Sequence, residues 1–300
     1  MSVLVGVDAG GSHTEAVASD ASLTPRGRYR GPRGAVTADT TGPQAEVIAA
    51  VTQRALDEAG FERADVVVVG AAGAGQGETR VAFAEALGAI LGPGVRVHVT
   101  TDAAITLEAA FPNQAGIVLI AGSGSIAYGR DADGTIYRVG GLGWQLGDEG
   151  SGYALAREAL AAVARAEDGR GRETALTARL TREIGAADLD AVVRWAQQAR
   201  PFEVATLARA VCETAEGGDA VARELVGRAA RDLCSLIDAM AARMPVVKQV
   251  ALAGGLLHGS TMVRRELLAL VRDEIPAIEV LDAEVDPALG ALAMAVRVEG

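Results

Sequence analysis

Residues 5–20 (VGVDAGGSHTEAVASD) combine an apolar run, a Gly-Gly-Ser-His-Thr turn and a second run of small and apolar residues. A Walker A phosphate loop would end in Gly-Lys-Ser/Thr, and a dinucleotide fingerprint would continue into a helix. Neither pattern is present. The turn lacks Gly-Lys-Ser/Thr, and Thr14–Ser19 alternates small and polar residues without a helical period. The stretch therefore predicts a β-hairpin whose tip exposes backbone N–H groups and hydroxyls.

The same order returns about 113 residues later, where residues 118–134 read VLIAGSGSIAYGRDADG. Two such hairpin units predict two domains of similar topology. Consecutive turn amides form a nest for an anion, and hydroxyls add further donors. Ordinary tight turns are the alternative, since Gly and Ser are common in turns. The candidate phosphate-binding residues are Gly10, Gly11, Ser12 and Thr14 in the first turn and Gly122, Ser123, Gly124 and Ser125 in the second.

The rest of the chain alternates strand and helix patterns, which predicts an α/β fold. The β-branched run Asp65–Val69 is typical of a strand buried on both faces. Helical periodicity is found over Pro43–Ala59 and Arg80–Leu91, and the chain is mostly helical from Glu149 to about Met244. Further predicted elements are a strand at Val95–Val99, a helix from Thr100–Asp102 to Phe111, strands at Gln249–Leu252 and Ile278–Leu281, a helix over Thr261–Glu274 and a closing helix from Pro287.

Composition limits the possible functions of the chain. Its 300 residues are half apolar and 22% charged, which is enough for two globular domains. The net charge of -11 argues against a nucleic-acid partner. No apolar run reaches the roughly 18 residues of a membrane-spanning helix, and no signal peptide is apparent, so we expect a cytoplasmic protein. The scattered His13, His98 and His258 outline no zinc site.

Five segments carry a family resemblance: GVDAGGSHT (6–14), TTDAA (100–104), IAGSGSIAYG (120–129), GGLGWQLGDEGSG (140–152) and LAGGL (252–256). Each Gly-rich turn alone is weak evidence for a family, but the ordered set of segments resembles the N-acetylglucosamine kinase family. That family includes the BadF/BadG/BcrA/BcrD-type ATPases and belongs to the actin, hexokinase and sugar-kinase superfamily. The resemblance covers nearly the whole chain.

The resemblance implies two ribonuclease-H-like (actin-like ATPase) domains flanking an interdomain cleft. The N-terminal lobe would span residues 1–113, with the closing helix 287–299 packed back onto it. The C-terminal lobe would span residues 114–286 and include a helical insert. A homodimer is implied by the resemblance alone.

The resemblance also implies ATP and Mg²⁺ as cofactors. The two Gly/Ser turns would hold the phosphates, and Asp8 would hold Mg²⁺ through water, since magnesium prefers oxygen ligands. Gly254 and Gly255 would let adenosine lie against the backbone, because they lack side chains. The alternatives are a turn-capping role for Asp8 and an ordinary strand-to-helix turn at Gly254-Gly255.

In TTDAA the resemblance makes Asp102 the general base that accepts the proton of a sugar hydroxyl. From the residues alone, an aspartate before a helix is equally an N-cap, and the two roles are compatible. The resemblance of GDEGSG to the family motif implies that Asp148 and Glu149, with Gly143 and Trp144, bind the sugar. The alternative is that the two acidic residues form a charged first turn of the following helix.

Two departures from the family pattern concern the sugar side. Leu142 stands where the family often has Trp, and Trp144 follows two residues later. Residues 31–42 (GPRGAVTADTTG) lack the asparagine that binds an acetamido group in many members. Arg33, Thr37 or Thr40 could take the place of this asparagine in binding the sugar. We expect N-acetylglucosamine, phosphorylated at its 6-hydroxyl, as substrate. Glucosamine and N-acetylmuramic acid, whose lactyl carboxylate Arg33 could meet, stay open.

The main alternative within the family is an ATPase that activates a 2-hydroxyacyl-CoA dehydratase or benzoyl-CoA reductase. Such an activator holds an iron–sulfur cluster between two subunits through cysteine thiolates. Cys212 and Cys234 lie in Ala/Leu-rich helical stretches, where we expect reduced and buried thiols. A non-catalytic sugar sensor would lack the base, whereas Asp102 is present.

Overall fold

The structure, a computed structural model, describes residues 2–259 and 261–299. The chain divides into two compact units, Met1–Gly116 with Ala283–Gly300 and Ile117–Asp282. Within the described residues each unit contains one five-stranded mixed sheet with helices beside it. The predicted two-domain α/β class is therefore confirmed.

The first unit contains a sheet in the order β3-β2-β1-β4-β5, in which β1, β4 and β5 are parallel and β2 and β3 antiparallel to their neighbours. Its strands are β1 (Val3–Ala9), β2 (Thr14–Asp20), β3 (Gly27–Gly31), β4 (Val66–Ala71) and β5 (Arg96–Thr101), and its first helices are α1 (Thr41–Ala59), α2 (Gly77–Leu91) and α3 (Asp102–Ala110). The β1–β2 pairing places Ala9 opposite Thr14, which confirms the predicted hairpin. All of β4 is buried, as its β-branched run predicts.

The edge strand β3 escaped the sequence prediction. Its sequence GRYRG alternates but contains two arginines and two glycines, which are not typical strand formers. Gly27 is required by packing, because a Cβ there would lie 2.1 Å from the carbonyl oxygen of Ala55 in α1. The close approach of α1 therefore explains why β3 contains Gly27, a residue type that weakens the strand pattern in the sequence.

The second unit contains a sheet in the order β10-β9-β6-β7-β8. The central strand β6 is parallel to β9, which is parallel to β10, and β7 and β8 form an antiparallel hairpin. Its strands are β6 (Gly116–Ala121), β7 (Ser125–Arg130), β8 (Ile136–Gly140), β9 (Gln249–Ala253) and β10 (Glu279–Leu281). Its helices are α4 (Gly152–Glu167), α5 (Leu176–Ile184), α6 (Leu189–Gln198), α7 (Pro201–Ala205), α8 (Ala208–Glu216), α9 (Ala220–Arg243) and α10 (Met262–Glu274).

The last helix, α11 (Pro287–Glu299), packs on the first sheet together with α3. Its apolar side chains join a core that contains Leu4, Val68 and Ile105. Two glycines permit this close packing. A Cβ on Gly6 would lie 2.2 Å from the Leu292 nitrogen, and one on Gly290 would lie 2.0 Å from the Ile105 carbonyl oxygen. Among the described helices, none is long and apolar enough to cross a lipid bilayer.

We predict that Gly290→Ala lowers the free energy of unfolding by about 2–3 kcal/mol, because the new methyl group must push α11 away from α3. Urea denaturation measures the change. Gly88→Ala, in α2, is the matched control, since its Cβ would meet only Val97 Cγ2 at 4.0 Å. That control should be neutral or slightly stabilising. Equal stability of the two variants would contradict close α3–α11 packing.

Candidate active site

In the first unit, two candidate carboxylates lie at one edge of the sheet. Asp8 is in register with Gly70 of β4, which is in register with Thr100 of β5. Asp102 follows β5 directly as the first residue of α3. Because β1, β4 and β5 are parallel, their carboxyl ends meet at the same edge. The topology therefore brings together Asp8 and Asp102, which are 94 positions apart in the sequence.

Asp8 is electrostatically strained. Burial, followed by the negative charges of Asp102, Glu15 and Asp286, raises the pKa of Asp8 from 3.8 to about 7. Each of these causes opposes the charged form of Asp8. A cation at this edge would reverse the effect, because it would stabilise the carboxylates that now repel one another.

Asp102 is not the N-cap of α3. Thr101 occupies that position, and its side-chain oxygen accepts a hydrogen bond from the Ala104 N–H at 3.2 Å. The Asp102 carboxylate accepts from the Ala103 N–H at 2.9 Å, and the residue as a whole is half-buried. Burial raises the pKa of Asp102, and this backbone hydrogen bond opposes the rise. Since Thr101 is the N-cap and the Ala103 N–H uses only Oδ1, the second oxygen of the Asp102 carboxylate is available for another role.

The Gly10–Thr14 turn is closed by a hydrogen bond from the Gly10 N–H to the His13 carbonyl at 3.0 Å. Ser12 is exposed at its tip and Gly11 is half-buried. Thr14 is fully buried, and its Oγ1 has no hydrogen-bond partner within the described residues. Ser12 is therefore accessible to an anion as the structure stands, whereas contact with the Thr14 hydroxyl requires the turn to move.

In the second unit, the structure brings together the two Gly-rich turns that follow β6 and β9. The Leu256 N–H donates to the Ala121 carbonyl at 3.0 Å. Gly254 has a φ of 91°, and a Cβ there would lie 2.4 Å from the Ala121 oxygen. A Cβ on Gly122 would lie 4.0 Å from the Gly255 nitrogen. Because glycines stand where the two turns meet, no side chain covers the backbone there, and a flat ligand can lie against it.

Asp148 lies beside the first of these turns, in a left-handed conformation with a φ of 60°. Its Oδ1 accepts from the Ser125 N–H at 3.3 Å, and the Ser125 hydroxyl donates to the Glu149 carbonyl at 2.6 Å. Burial raises the pKa of Asp148, the hydrogen bond from the Ser125 N–H opposes the rise, and the charge of Glu149 adds to it. Ser125 is itself buried, so its visible role is to hold the Asp148–Glu149 turn.

The interpretation of Asp148 and Glu149 as a helix first turn is wrong. Helix α4 begins at Gly152, and its N-cap is Ser151, which accepts from the Ala154 N–H at 3.2 Å. The acidic pair precedes the helix. A non-glycine residue at positive φ costs free energy and is tolerated where the surroundings impose it. Such strain is concentrated at functional sites.

The loop before Asp148 contains internal hydrogen bonds but carries exposed apolar side chains. The Gly143 carbonyl accepts from the Leu146 and Gly147 N–H groups at 3.2 and 2.8 Å. Trp144 packs edge-on against Tyr153 with ring centroids 5.6 Å apart. Leu142, Trp144 and Leu146 are nevertheless 56%, 48% and 80% exposed. The two predicted sugar-site residues, Gly143 and Trp144, thus lie in a loop that is held by hydrogen bonds and a ring contact and that leads into Asp148.

Two acidic residues act on Asp8 that the sequence pattern does not single out. Glu15 lies opposite Asp8 in the β1–β2 register, and Asp286 caps α11 by accepting from the Leu289 N–H at 3.3 Å. Arg28 forms ion pairs with both, at 2.5 Å to Asp286. The position of Asp286 before Pro287 is a recognisable cap signal, but its proximity to Asp8 is not visible in the sequence.

The residues at this edge fit a magnesium ion. Among the described residues, no group of three or more His, Cys, Asp or Glu side chains could hold a metal by itself. Magnesium suits such a site, because it usually keeps several waters and takes one or two carboxylates plus phosphate oxygens. Asp8, whose carboxylate is destabilised by its neighbours, is the residue that would hold it.

The model of the BadF/BadG/BcrA/BcrD ATPase family matches residues 5–295, and the chain belongs to that family. It is 27% identical to an N-acetylmuramic acid/N-acetylglucosamine kinase of Clostridium acetobutylicum, with 98% of each chain covered. It is 25% identical to an N-acetyl-D-glucosamine kinase of Dictyostelium discoideum, also with 98% of each covered. A solved structure described as a candidate N-acetylglucosamine kinase from Chromobacterium violaceum matches with a TM-score of 0.85 at 27% identity, covering 98% of this chain and 99% of that one. The predicted family membership is confirmed.

We predict that Asp8→Asn stabilises the ligand-free protein at pH 8. The folded-state pKa lies above the unfolded value of 3.8, so the folded state retains a proton that the unfolded state releases between about pH 4 and pH 7. The stability of the wild type therefore falls across this window, and Asn avoids the loss. About 3 pKa units at about 1.4 kcal/mol each set an upper limit of about 4 kcal/mol. Because the Asn amide must itself be desolvated at this site, we expect a gain of about 1–3 kcal/mol at pH 8 and a smaller one at pH 5.

Urea denaturation at the two pH values measures this gain. Asp238→Asn, at an exposed position of α9, is the control and should show no such pH-dependent difference. A variant Asp8→Asn that is less stable than the wild type at pH 8 would show that Asp8 is well solvated or favourably paired.

Proposed function

We propose that this protein is an ATP-dependent kinase that transfers the γ-phosphoryl group to an amino sugar. The observation that carries the proposal is Asp102, a half-buried carboxylate that is not the N-cap of its helix and lies at the same sheet edge as Asp8. The family membership and the names of the relatives support the same reaction class.

The nucleotide-binding roles are part of the proposal. Gly10, Gly11 and Ser12, and Gly122, Ser123 and Gly124, bind the ATP phosphates, while the buried Thr14 and Ser125 shape the two turns from within. Gly254 and Gly255 accommodate adenosine. This role is supported by the absence of side chains where their turn meets Gly122. Magnesium held by Asp8 supplies neutralisation of phosphate charge.

Asp102 acts as the general base. Its carboxylate accepts the proton of the sugar hydroxyl as the hydroxyl oxygen bonds to the γ-phosphorus and ADP leaves. Phosphoryl transfer needs positioning and charge stabilisation more than covalent chemistry from the protein. The raised pKa of Asp102 makes it a better proton acceptor than an exposed aspartate, and its place at a helix N-terminus keeps the charged form available.

Asp148 and Glu149 bind sugar hydroxyls, and Gly143 and Trp144 shape the adjoining surface. Support comes from the way Asp148 is held: a strained backbone and the Ser125 N–H fix its carboxylate in place. A rigid hydrogen-bond acceptor discriminates well, because a substrate that lacks the matching hydroxyl leaves it without a partner.

We propose N-acetylglucosamine, phosphorylated at the 6-hydroxyl, as the main substrate, with glucosamine and N-acetylmuramic acid as alternatives. Two relatives bear names that include N-acetylglucosamine. A cytoplasmic location belongs to the same proposal because the enzyme needs ATP. The proposed homodimer depends on the family resemblance.

The alternative of an iron–sulfur activator ATPase is not favoured. Cys212 and Cys234 lie within α8 and α9, where both are buried. Burial raises the pKa of each thiol to about 11. Metal ligation needs thiolates. These two residues offer no ligands for a cluster shared with a second subunit.

The test is ADP release from Mg·ATP across N-acetylglucosamine, glucosamine, N-acetylmuramic acid, N-acetylmannosamine and glucose. We expect turnover that depends on an amino sugar and falls by about 10²–10⁴-fold in Asp102→Asn, because the base is lost. The variant should bind ATP as the wild type does. Sugar-independent hydrolysis that is indifferent to Asp102→Asn would overturn both the base and the kinase.

We predict that Asp148→Asn raises the KM for the sugar by about 10- to 100-fold, because a charged hydrogen-bond acceptor is replaced by a neutral amide. The KM for ATP should change by less than about 3-fold. Initial rates with one substrate varied at a time separate the two constants. A rise confined to the KM for ATP would place Asp148 with the nucleotide instead.

A further inference from the structure

Two neighbouring residues at the start of α3, Thr101 and Asp102, are both of a type that caps helices. By type, aspartate is the better N-cap, threonine follows, and valine and alanine are poor. Thr101 is nevertheless the N-cap here, and its side-chain oxygen accepts from the Ala104 N–H at 3.2 Å. The two side chains therefore compete for the unpaired N–H groups of one helix, and the choice of cap decides what the Asp102 carboxylate can do.

The strand before α3 explains why Thr101 is the cap. An N-cap residue has extended rather than helical dihedral angles. Thr101 has a φ of -82° and a ψ of 154°, and it ends β5 in register with Ala71 of β4. Asp102 is already the first residue of the helix. The pairing of β5 with β4 thus sets the residue at which α3 begins.

Two contacts hold the first turn of α3 in place. The hydroxyl of the buried Thr106 donates to the Asp102 carbonyl at 2.7 Å. Gly70 of β4 has no side chain, and a Cβ there would lie 2.4 Å from Ile105 Cδ1, so Ile105 lies directly against that strand. These contacts fix the backbone of Asp102, and the placement of its carboxylate then depends on which N–H groups it accepts from.

The Thr101 hydroxyl keeps the Asp102 carboxylate from a second position. As long as Thr101 pairs with the Ala104 N–H, Asp102 accepts from the Ala103 N–H at 2.9 Å. Without that hydroxyl the Ala104 N–H has lost its cap, and α3 can begin one residue later with Asp102 as its N-cap. A carboxylate in that position is held by the helix N-terminus and its dipole, and is turned away from a substrate hydroxyl.

Building on the kinase function proposed above, we infer that Thr101 is a positioning residue for the reaction. By capping α3 it prevents Asp102 from becoming the cap, and so keeps the general base free to accept the proton of the sugar hydroxyl. Thr101 itself touches neither the sugar nor the nucleotide in this role.

The first experiment measures kcat and both KM values in the wild type, Thr101→Val and Thr101→Ser, with the amino sugar that the wild type phosphorylates best. Valine keeps the shape of threonine and suits a strand, but it cannot cap. We expect Thr101→Val to lower kcat by about 10-fold or more, because a displaced base loses much of its effect. Each KM should change by less than about 3-fold. Thr101→Ser, which restores the hydroxyl, should recover kcat to within about 3-fold of the wild type.

The second experiment needs no activity. Urea unfolding of the wild type, Thr101→Val, Asp102→Ala and the double variant forms a double-mutant cycle. When Asp102 is present it takes over the cap, so Thr101→Val should shift the unfolding midpoint only slightly. In the Asp102→Ala background no capping side chain is left, and the same change should lower the midpoint by clearly more.

The matched control is Asp188→Ala, which removes the N-cap of α6, where Asp188 accepts from the Ala191 N–H at 2.8 Å. This variant should lower the unfolding midpoint and leave kcat unchanged, which separates the loss of a cap from the displacement of the base.

The outcomes keep this inference distinct from the proposed function. In an active wild type, a Thr101→Val variant with unchanged kcat would overturn the positioning role. Equal midpoint shifts in the two backgrounds of the cycle would overturn the competition for the cap. A wild type that phosphorylates none of the tested sugars would overturn the proposed kinase function, and the positioning role with it.

Discussion

The repulsion among carboxylates at the end of the first parallel sheet is the interaction on which the proposed chemistry depends. Three parallel strands end together, and the fold uses that shared edge to bring Asp8 and Asp102 close. Burial and mutual charge oppose ionisation there, so the ligand-free protein carries a destabilised site. A bound cation would relieve this repulsion, which is a usual relation between stability and function at active sites.

The glycines of the first unit serve this edge indirectly. Gly6 and Gly290 let α11 lie against β1 and α3, and α3 carries Asp102 at its first residue. Asp286, the cap of α11, contributes to the charge around Asp8. The last helix therefore both completes the core of the unit and takes part in the electrostatics of its site.

The second unit stores strain of a different kind. Asp148 is held at positive φ, and its carboxylate is fixed by the Ser125 N–H. The Ser125 hydroxyl holds the neighbouring carbonyl of Glu149. A side chain held in this way loses little conformational freedom when a ligand binds, which favours selective recognition.

Much of this fold can be predicted from local patterns. The β1–β2 hairpin, the buried strand β4 and the helix that begins at Pro287 all follow from short-range periodicity and turn chemistry. The approximate place of each candidate residue, at the end of a strand, follows as well. β3 was missed because its glycines serve contacts with α1 rather than strand formation.

What the sequence does not reveal depends on partners that are distant along the chain. Thr101, not Asp102, caps α3, and both residues are acceptable caps by type. Thr14 and Ser125 resemble surface hydroxyls but are buried. The influence of Asp286 on Asp8 joins residues 278 positions apart, which local patterns do not contain.

The most direct test is an NMR titration of the Asp8 carboxyl carbon in the ligand-free wild type and in Asp102→Asn. We expect a pKa of about 7 for Asp8 in the wild type and a lower one in the variant, still above 3.8 because burial remains the largest cause. A pKa near 4 that does not respond to Asp102→Asn would contradict the coupling of the two carboxylates at one site.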